Sequence, residues 1–235
     1  MKQEYHNLYL EKAKELVAKM TVEEKTSQLC SEAPAIERLG IPSYHWWNEG
    51  LHGVARAGVA TIFPQAIGLA ATFDRKTLRD CGRITALEGR IKYNAAQKHG
   101  DHAIYKGLIF WSPNINIYRD PRWGGGQETY GEDPVLTSVC GESYIKALRE
   151  GEDDRYLRAA ACVKHFTVHS GPNARSIRAV GRQIDRMIST YAFHHPVDKE
   201  KVSFLMKLAA QLNQEGEILV GDVSFCAGIL RIERG

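Results

Sequence analysis

No stretch of this chain is long and apolar enough to cross a bilayer as a helix. Charge of one sign is scarce as well. Lys and Arg number 31 against 28 Asp and Glu, leaving +3, too little to draw the chain to nucleic acid or to an anionic membrane. The opening residues, MKQEYHNLYLEKAKEL, hold no apolar core of a secretory signal. Cysteine is sparse: Cys30, Cys81, Cys140, Cys162 and Cys226 are scattered, odd in number, and no pair of them has metal-ligand spacing. They read as reduced core thiols, and the expected compartment is cytoplasmic. His165 and His169 could suggest a metal pair, but no third ligand is spaced to join them, so no metal is expected. What is present is ordinary for a globular protein, with 43% hydrophobic and 25% charged residues over 235 positions.

The stretch that organises the chain is Leu108 to Pro134, LIFWSPNINIYRDPRWGGGQETYGEDP. Leu108-Ile109-Phe110-Trp111 reads as a buried strand, and Ser112-Pro113-Asn114 stops it. A polar loop follows, and Asp133-Pro134 sets an N-cap and a first helical residue. Strand, loop and helix make one βα unit, and in α/β folds the loop after the strand carries the chemistry. Trp111, Trp123 and Tyr130 set aromatic faces among carboxylates, carboxamides and guanidinium groups. That mixture suits a sugar, with its apolar C–H faces and hydroxyl edges. The competing reading is a solvated connection with a structural Arg–Asp pair.

Asn116-Ile117, Arg119-Asp120-Pro121-Arg122-Trp123-Gly124 and Glu128-Thr129-Tyr130-Gly131-Glu132-Asp133-Pro134 together resemble the N-terminal barrel domain of glycoside hydrolase family 3, the β-glucosidases and β-xylosidases. The resemblance runs from about residue 1 to 173. It implies an α/β fold, here part of a (β/α)8 TIM-type barrel over 1–174, and hydrolysis of terminal β-linked glucose or xylose with retention. One departure stands out: where the family has an Arg that binds sugar hydroxyls, this chain has Gly125.

Three other places carry site candidates. Trp46-Trp47-Asn48-Glu49-Gly50 puts a carboxylate after two aromatics at a strand end, and a carboxylate can accept two hydroxyl donors at once. The resemblance gives Glu49 a hydroxyl-holding role. Ala159 to Val163 reads as a short buried parallel strand ending in Lys164-His165. The family has the same Lys-His-Phe there, which implies that Lys164 and His165 bind the sugar. Arg175 could stand for a further sugar-binding Arg of the family. Elsewhere, Thr21 and Glu24 form a capping box, and Tyr9, Ala13, Leu16, Val17 and Met20 form one face of a first helix. Thr61-Ile62-Phe63-Pro64 reads as a short strand. Asp74 caps a long helix to about His99, with Leu78, Cys81, Ile84, Glu88 and Ile91 on the apolar side; Glu88 has no assigned role.

From Ser176 the barrel pattern is not continued. Met187 to Tyr191 reads as a strand, and a helix through Val202, Leu205, Met206, Ala209 and Leu212 ends at Gly216. Glu217 to Val220 is a second strand, which makes a right-handed βαβ unit. The fragment 183–226 resembles the second half of class I S-adenosylmethionine-dependent methyltransferases. The Gly-rich cofactor loop of that family is absent, so no cofactor is expected. The chain thus reads as 1–174, a partial hydrolase barrel, and 175–235, a methyltransferase-like tail. Asp222 ends a strand and is the tempting nucleophile, but its context fits the tail pattern better. No second carboxyl is placed beside it, and retaining hydrolysis needs two. The expected partner is a β-linked oligosaccharide or glycoside. The chain reads as truncated and inactive alone, with a sugar-binding pseudo-enzyme and a methyltransferase-like fragment as alternatives. Self-association through exposed barrel edges is expected.

Overall fold

Parallel pairing at the centre of the chain sets the segments of the expected site on either side of one strand. The computed structural model describes residues 3–151 and 155–165, and beyond them the backbone of three strands at 184–190, 212–221 and 230–233. The elements are α1 (Gln3–Lys19), α2 (Val22–Ser27), β1 (Glu32–Ala33), β2 (Tyr44–His45), α3 (Ala66–Ala70), α4 (Arg75–Gln97), β3 (Ile109–Phe110), α5 (Pro134–Arg149), β4 (Ala160–Ala161), β5 (Ile184–Thr190), β6 (Leu212–Gly221) and β7 (Leu230–Glu233). β3 pairs in parallel with β4, Ile109 opposite Ala160 and Phe110 opposite Ala161. On its other side Phe110 bridges Asn48, again in parallel, and beyond β3 Asn114 bridges Lys164. Three strand segments therefore run side by side, around 48, 110 and 161.

The local signals behave as their chemistry requires. The Thr21 hydroxyl accepts from the Glu24 N–H at 3.2 Å, and the Glu24 carboxylate accepts from the Thr21 N–H at 2.8 Å, closing the capping box. Asp74 accepts from the Lys76 and Thr77 N–H groups at 2.8 and 3.2 Å. Asp133 accepts from the Leu136 N–H at 2.6 Å, with Pro134 opening α5. Each carboxylate satisfies donors that the first helical turn leaves orphaned.

Packing around β3 depends on small residues. A Cβ on Gly82 would lie 2.6 Å from the Tyr144 carbonyl oxygen, and one on Gly89 would lie 2.5 Å from the Phe110 ring. Glycine at both positions lets α4 approach α5 and β3 more closely than any side chain allows. The core formed there includes Leu78, Cys81, Ala86, Phe110, Cys140, Tyr144, Leu148 and Ala159. Burial raises the pKa of the Cys81 and Cys140 thiols. Arg90 on α4 donates to the carbonyls of Leu157 and Arg158 at 2.8 and 2.9 Å, which pins the approach to β4.

Several expectations are corrected. The buried face of α4 is Leu78, Cys81, Gly82, Thr85, Ala86 and Gly89, while Ile91 is exposed, because close approach selects small residues over large apolar ones. Glu88 turns to a loop, accepting from the Thr61 N–H and hydroxyl, the latter at 2.7 Å. The Thr61 N–H is thus taken by a side chain at 3.0 Å, and of the segment's donors only the Phe63 N–H reaches another backbone carbonyl, that of His52 at 2.9 Å; Thr61–Pro64 is not a strand. α1 buries no residue among those described; Leu16 and Val17 are exposed, and Tyr9 stacks on Tyr156. Cys30 is exposed rather than a core thiol, and Cys226 lies outside the described residues.

In the C-terminal part, β5 pairs with β6 in parallel and β6 with β7 antiparallel. β6 begins at Leu212, so Leu212 to Gly216 are strand where a helix end was expected. Backbone pairing of Leu212 with Ile184 claims that residue for the sheet. The expected helix from Val202 to Ala209, and with it the hand of the crossover, falls outside the described residues.

Candidate functional site

Glu49 is placed by its neighbour. Asn48 is buried, and its side chain brackets β3: the carboxamide oxygen accepts from the Gly107 N–H at 2.7 Å, and the amide nitrogen donates to the Ile109 carbonyl at 3.1 Å. The Trp111 N–H returns a bond to the Asn48 carbonyl at 2.9 Å. With Asn48 locked, Glu49 falls at the end of its segment. The Trp47 indole N–H then donates to its carboxylate at 2.8 Å and sets its direction. Trp47 in turn stacks on Trp111, ring centres 4.4 Å apart.

Lys164 and His165 stand at the far end of the neighbouring strand. The Lys164 N–H donates to the Pro113 carbonyl at 3.0 Å, and the Ile115 N–H donates to the Lys164 carbonyl at 2.7 Å. The side chain of Lys164 is buried, with the Glu128 carboxylate 3.9 Å from its ammonium, an ion pair too long for a hydrogen bond. Asn116 holds His165. Its carboxamide oxygen accepts from the His165 N–H at 2.8 Å and lies 2.9 Å from Nδ1, and its amide donates to the His165 carbonyl at 3.2 Å. The Lys164–His165 peptide bond is cis.

The structure thus sets Glu49 on one side of β3 and Lys164 and His165 on the other, each just past a segment parallel to it: an acceptor, a donor and a ring nitrogen pair. Arg175 and Asp222 lie outside the described residues, as does His169. Among the described residues no group of three His, Cys, Asp or Glu is arranged to hold a metal ion, and no helix is long and apolar enough to cross a membrane. Asn48, Asn116 and Glu128 were visible in the sequence only as parts of motifs. Their roles depend on contacts 36 to 61 residues away, which no local pattern encodes.

The aromatics of the loop are a correction. Trp111, Trp123 and Tyr130 are buried at 3%, 7% and 3% exposure, so they hold the loop instead of offering faces to a sugar. Desolvation raises the Tyr130 hydroxyl well above the ordinary tyrosine range. The loop does contain the structural Arg–Asp pair: Arg122 donates to Asp120 through Nε at 3.0 Å and Nη2 at 2.7 Å. Those bonds, with the Arg122 N–H, hold the Asp120 carboxyl down at about 2. Buried donors without a hydrogen-bond partner among the described residues include Trp46 Nε1 and Asn114 Nδ2, besides the hydroxyls of Thr85, Ser112 and Thr137. Such unmet donors are satisfied by water or by a ligand oxygen. A groove of about 580 Å³ lies elsewhere, lined by Ile115, Ile117, Val163 and the Thr137, Gly141 and Ile145 side of α5; it contains none of Glu49, Lys164 and His165.

Residues 13–214 match the glycosyl hydrolase family 3 N terminal domain. The chain belongs to this family. Among family 3 relatives, the xylan 1,4-β-xylosidase of Xylanibacter ruminicola is 48% identical over 164 residues, 69% of this chain and 19% of that protein. β-Xylosidase/α-L-arabinofuranosidase 2 of Medicago sativa subsp. varia is 36% identical over 239 aligned residues, 94% of this chain and 30% of its own length. A GH3 exo-β-xylosidase solved with a xylobiose aziridine activity-based probe superposes with a TM-score of 0.56 at 38% identity, over 64% of this chain and 20% of that one. The α/β arrangement is thus shared with a solved member. The chain spans about a fifth to a third of the length of these relatives. The family 3 match runs past 173 and ends at residue 214, just inside β6, so it includes part of the segment that resembles a methyltransferase, and that second resemblance gains no support.

Proposed function

We propose that this chain supplies the sugar-holding part of a family 3 glycosidase acting on terminal β-linked xylose or glucose. What supports the reading is the placement of Glu49 on one side of β3 and of Lys164 and His165 on the other, each just past a segment that runs parallel to it. The relatives named above as β-xylosidases support the substrate class. In this reading β3 and β4 are consecutive strands of a (β/α)8 barrel, 1–174 is one unit, and 175–235 is another. Glu49 accepts hydrogen bonds from two hydroxyls, Lys164 donates, and Arg175 adds a further donor. Neither catalytic carboxyl is assigned, and the chain alone hydrolyses nothing at a meaningful rate, because a retaining glycosidase needs a nucleophile and an acid/base together. The free Cys81 and Cys140 thiols favour a reducing, cytoplasmic setting, and Ile115 and Val163, exposed in the groove beside α5, favour self-association.

Two measurements test this. Calorimetry with a xylose- or glucose-type inhibitor is expected to show binding that Lys164→Met abolishes; no binding to the folded wild type sinks the reading. Release from an aryl β-xyloside is expected to be absent, and turnover that disappears in Asp222→Asn would make Asp222 the nucleophile. The position of Gly125 offers a gain-of-function arm. Gly125→Arg is expected to tighten inhibitor binding by about 1.5–3 kcal/mol, the contribution of one charge-assisted bond. Its Cβ meets the Trp123 indole at 3.0 Å, so the indole must shift by a few tenths of an ångström.

A further inference from the structure

A backbone N–H can only donate. The atom of the Asn116 carboxamide that faces the His165 N–H at 2.8 Å is therefore its oxygen, and the amide nitrogen is the atom facing the His165 carbonyl at 3.2 Å. Both bonds agree, so the orientation of the carboxamide is fixed by chemistry alone. The same oxygen lies 2.9 Å from Nδ1 of the imidazole. Two acceptors do not approach to that distance without a proton between them, so Nδ1 carries the hydrogen. In the neutral ring the lone pair then belongs to Nε2. Asn116 is buried at 6% exposure, which keeps water from competing for these bonds.

We infer that Asn116 is a positioning residue: it holds His165 in the Nδ1–H form, so that Nε2 accepts a hydrogen bond from a sugar hydroxyl. The consequence for recognition is a matched pair. Lys164 can only donate, whereas His165 in this form accepts through Nε2, and a hydroxyl both gives and takes. The opposite tautomer would present two donors side by side.

This deepens the sugar-holding reading and rests on it for its purpose, but the tautomer is read without sugar. Long-range proton–nitrogen correlation spectra of the full chain with ¹⁵N-histidine, assigned by loss of one signal in His165→Gln, report which ring nitrogen is protonated. The expected spectrum shows protonated Nδ1 and bare Nε2 at neutral pH. Asn116→Ala is expected to let the Nε2–H form predominate, as in free histidine. Asn116→Asp keeps an acceptor beside Nδ1 and is expected to keep Nδ1 protonated; its carboxylate favours the imidazolium, so this spectrum is taken at alkaline pH, where the neutral ring shows its tautomer. If Asn116→Ala does not fold, the wild-type and Asn116→Asp spectra suffice. Protonated Nε2 in the wild type, or an Asn116→Ala spectrum like that of the wild type, overturns the inference. A correct tautomer in a chain that binds no inhibitor leaves Asn116 as proposed for the ring and sinks the sugar reading instead.

Discussion

The α4–α5 seam and the 112–133 loop meet at β3 and are held by opposite means. In the seam, glycine opens the space and Phe110 and Tyr144 fill it; at 2% and 1% exposure they are set by shape. In the loop, single hydrogen bonds fix each turn. Asn114 accepts from the Asn116 N–H at 3.0 Å, the Thr129 hydroxyl donates to the Gly126 carbonyl at 2.8 Å, and Arg122 forks onto Asp120. Shape governs the seam, whereas the loop adds donor–acceptor matching to its buried Trp123 and Tyr130. A single polar contact in the loop is therefore expected to matter less to stability than the packing of the seam.

The largest expected effect is in the seam. Phe110→Ala removes a ring that contacts both Gly50 and Gly89 and is expected to cost about 3–5 kcal/mol in urea unfolding. Gly82→Val drives a side chain into the Tyr144 carbonyl and is expected to cost about 1–3 kcal/mol by the same measurement. A loop substitution such as Arg122→Gln is expected to lower the unfolding midpoint least of the three while moving one carboxyl. The folded Asp120 carboxyl titrates at about 2, below its unfolded value of about 3.9, so its contribution is complete above that unfolded value and disappears as pH falls toward 2. A carbon-13 titration is expected to find this low midpoint and to see it rise toward the ordinary range in Arg122→Gln. If Arg122→Gln unfolds the protein as readily as Phe110→Ala does, the division between seam and loop is wrong.

Features decided within one helical turn were legible in the sequence. The caps at Thr21, Asp74 and Asp133 formed because a side chain and the N–H groups two or three residues on are always within reach. β3 and β4 were each legible as strands from their short apolar runs, although their parallel pairing with each other was not. Features decided at a distance were not legible. Thr61–Pro64 has strand composition, yet Glu88 takes its first donor from 27 residues away. Trp123 and Tyr130 looked available to a ligand because nothing local says what covers them. At the site, Glu49, Lys164 and His165 were named from motif resemblance, while Asn116 and Glu128, which hold two of them, became visible only when sequence-distant strands adjoined.

The Trp47–Trp111 stack has an optical consequence. Indoles with centres 4.4 Å apart and planes 19° from parallel couple their electronic transitions, and the pair should give a split near-ultraviolet dichroic band that neither ring gives alone. One ring belongs to the segment bearing Glu49 and the other directly follows β3. The band therefore gauges whether that segment is seated. On gentle heating, its decay ahead of the far-ultraviolet helical signal would time the departure of Glu49 from the other two groups, with no label attached to the protein.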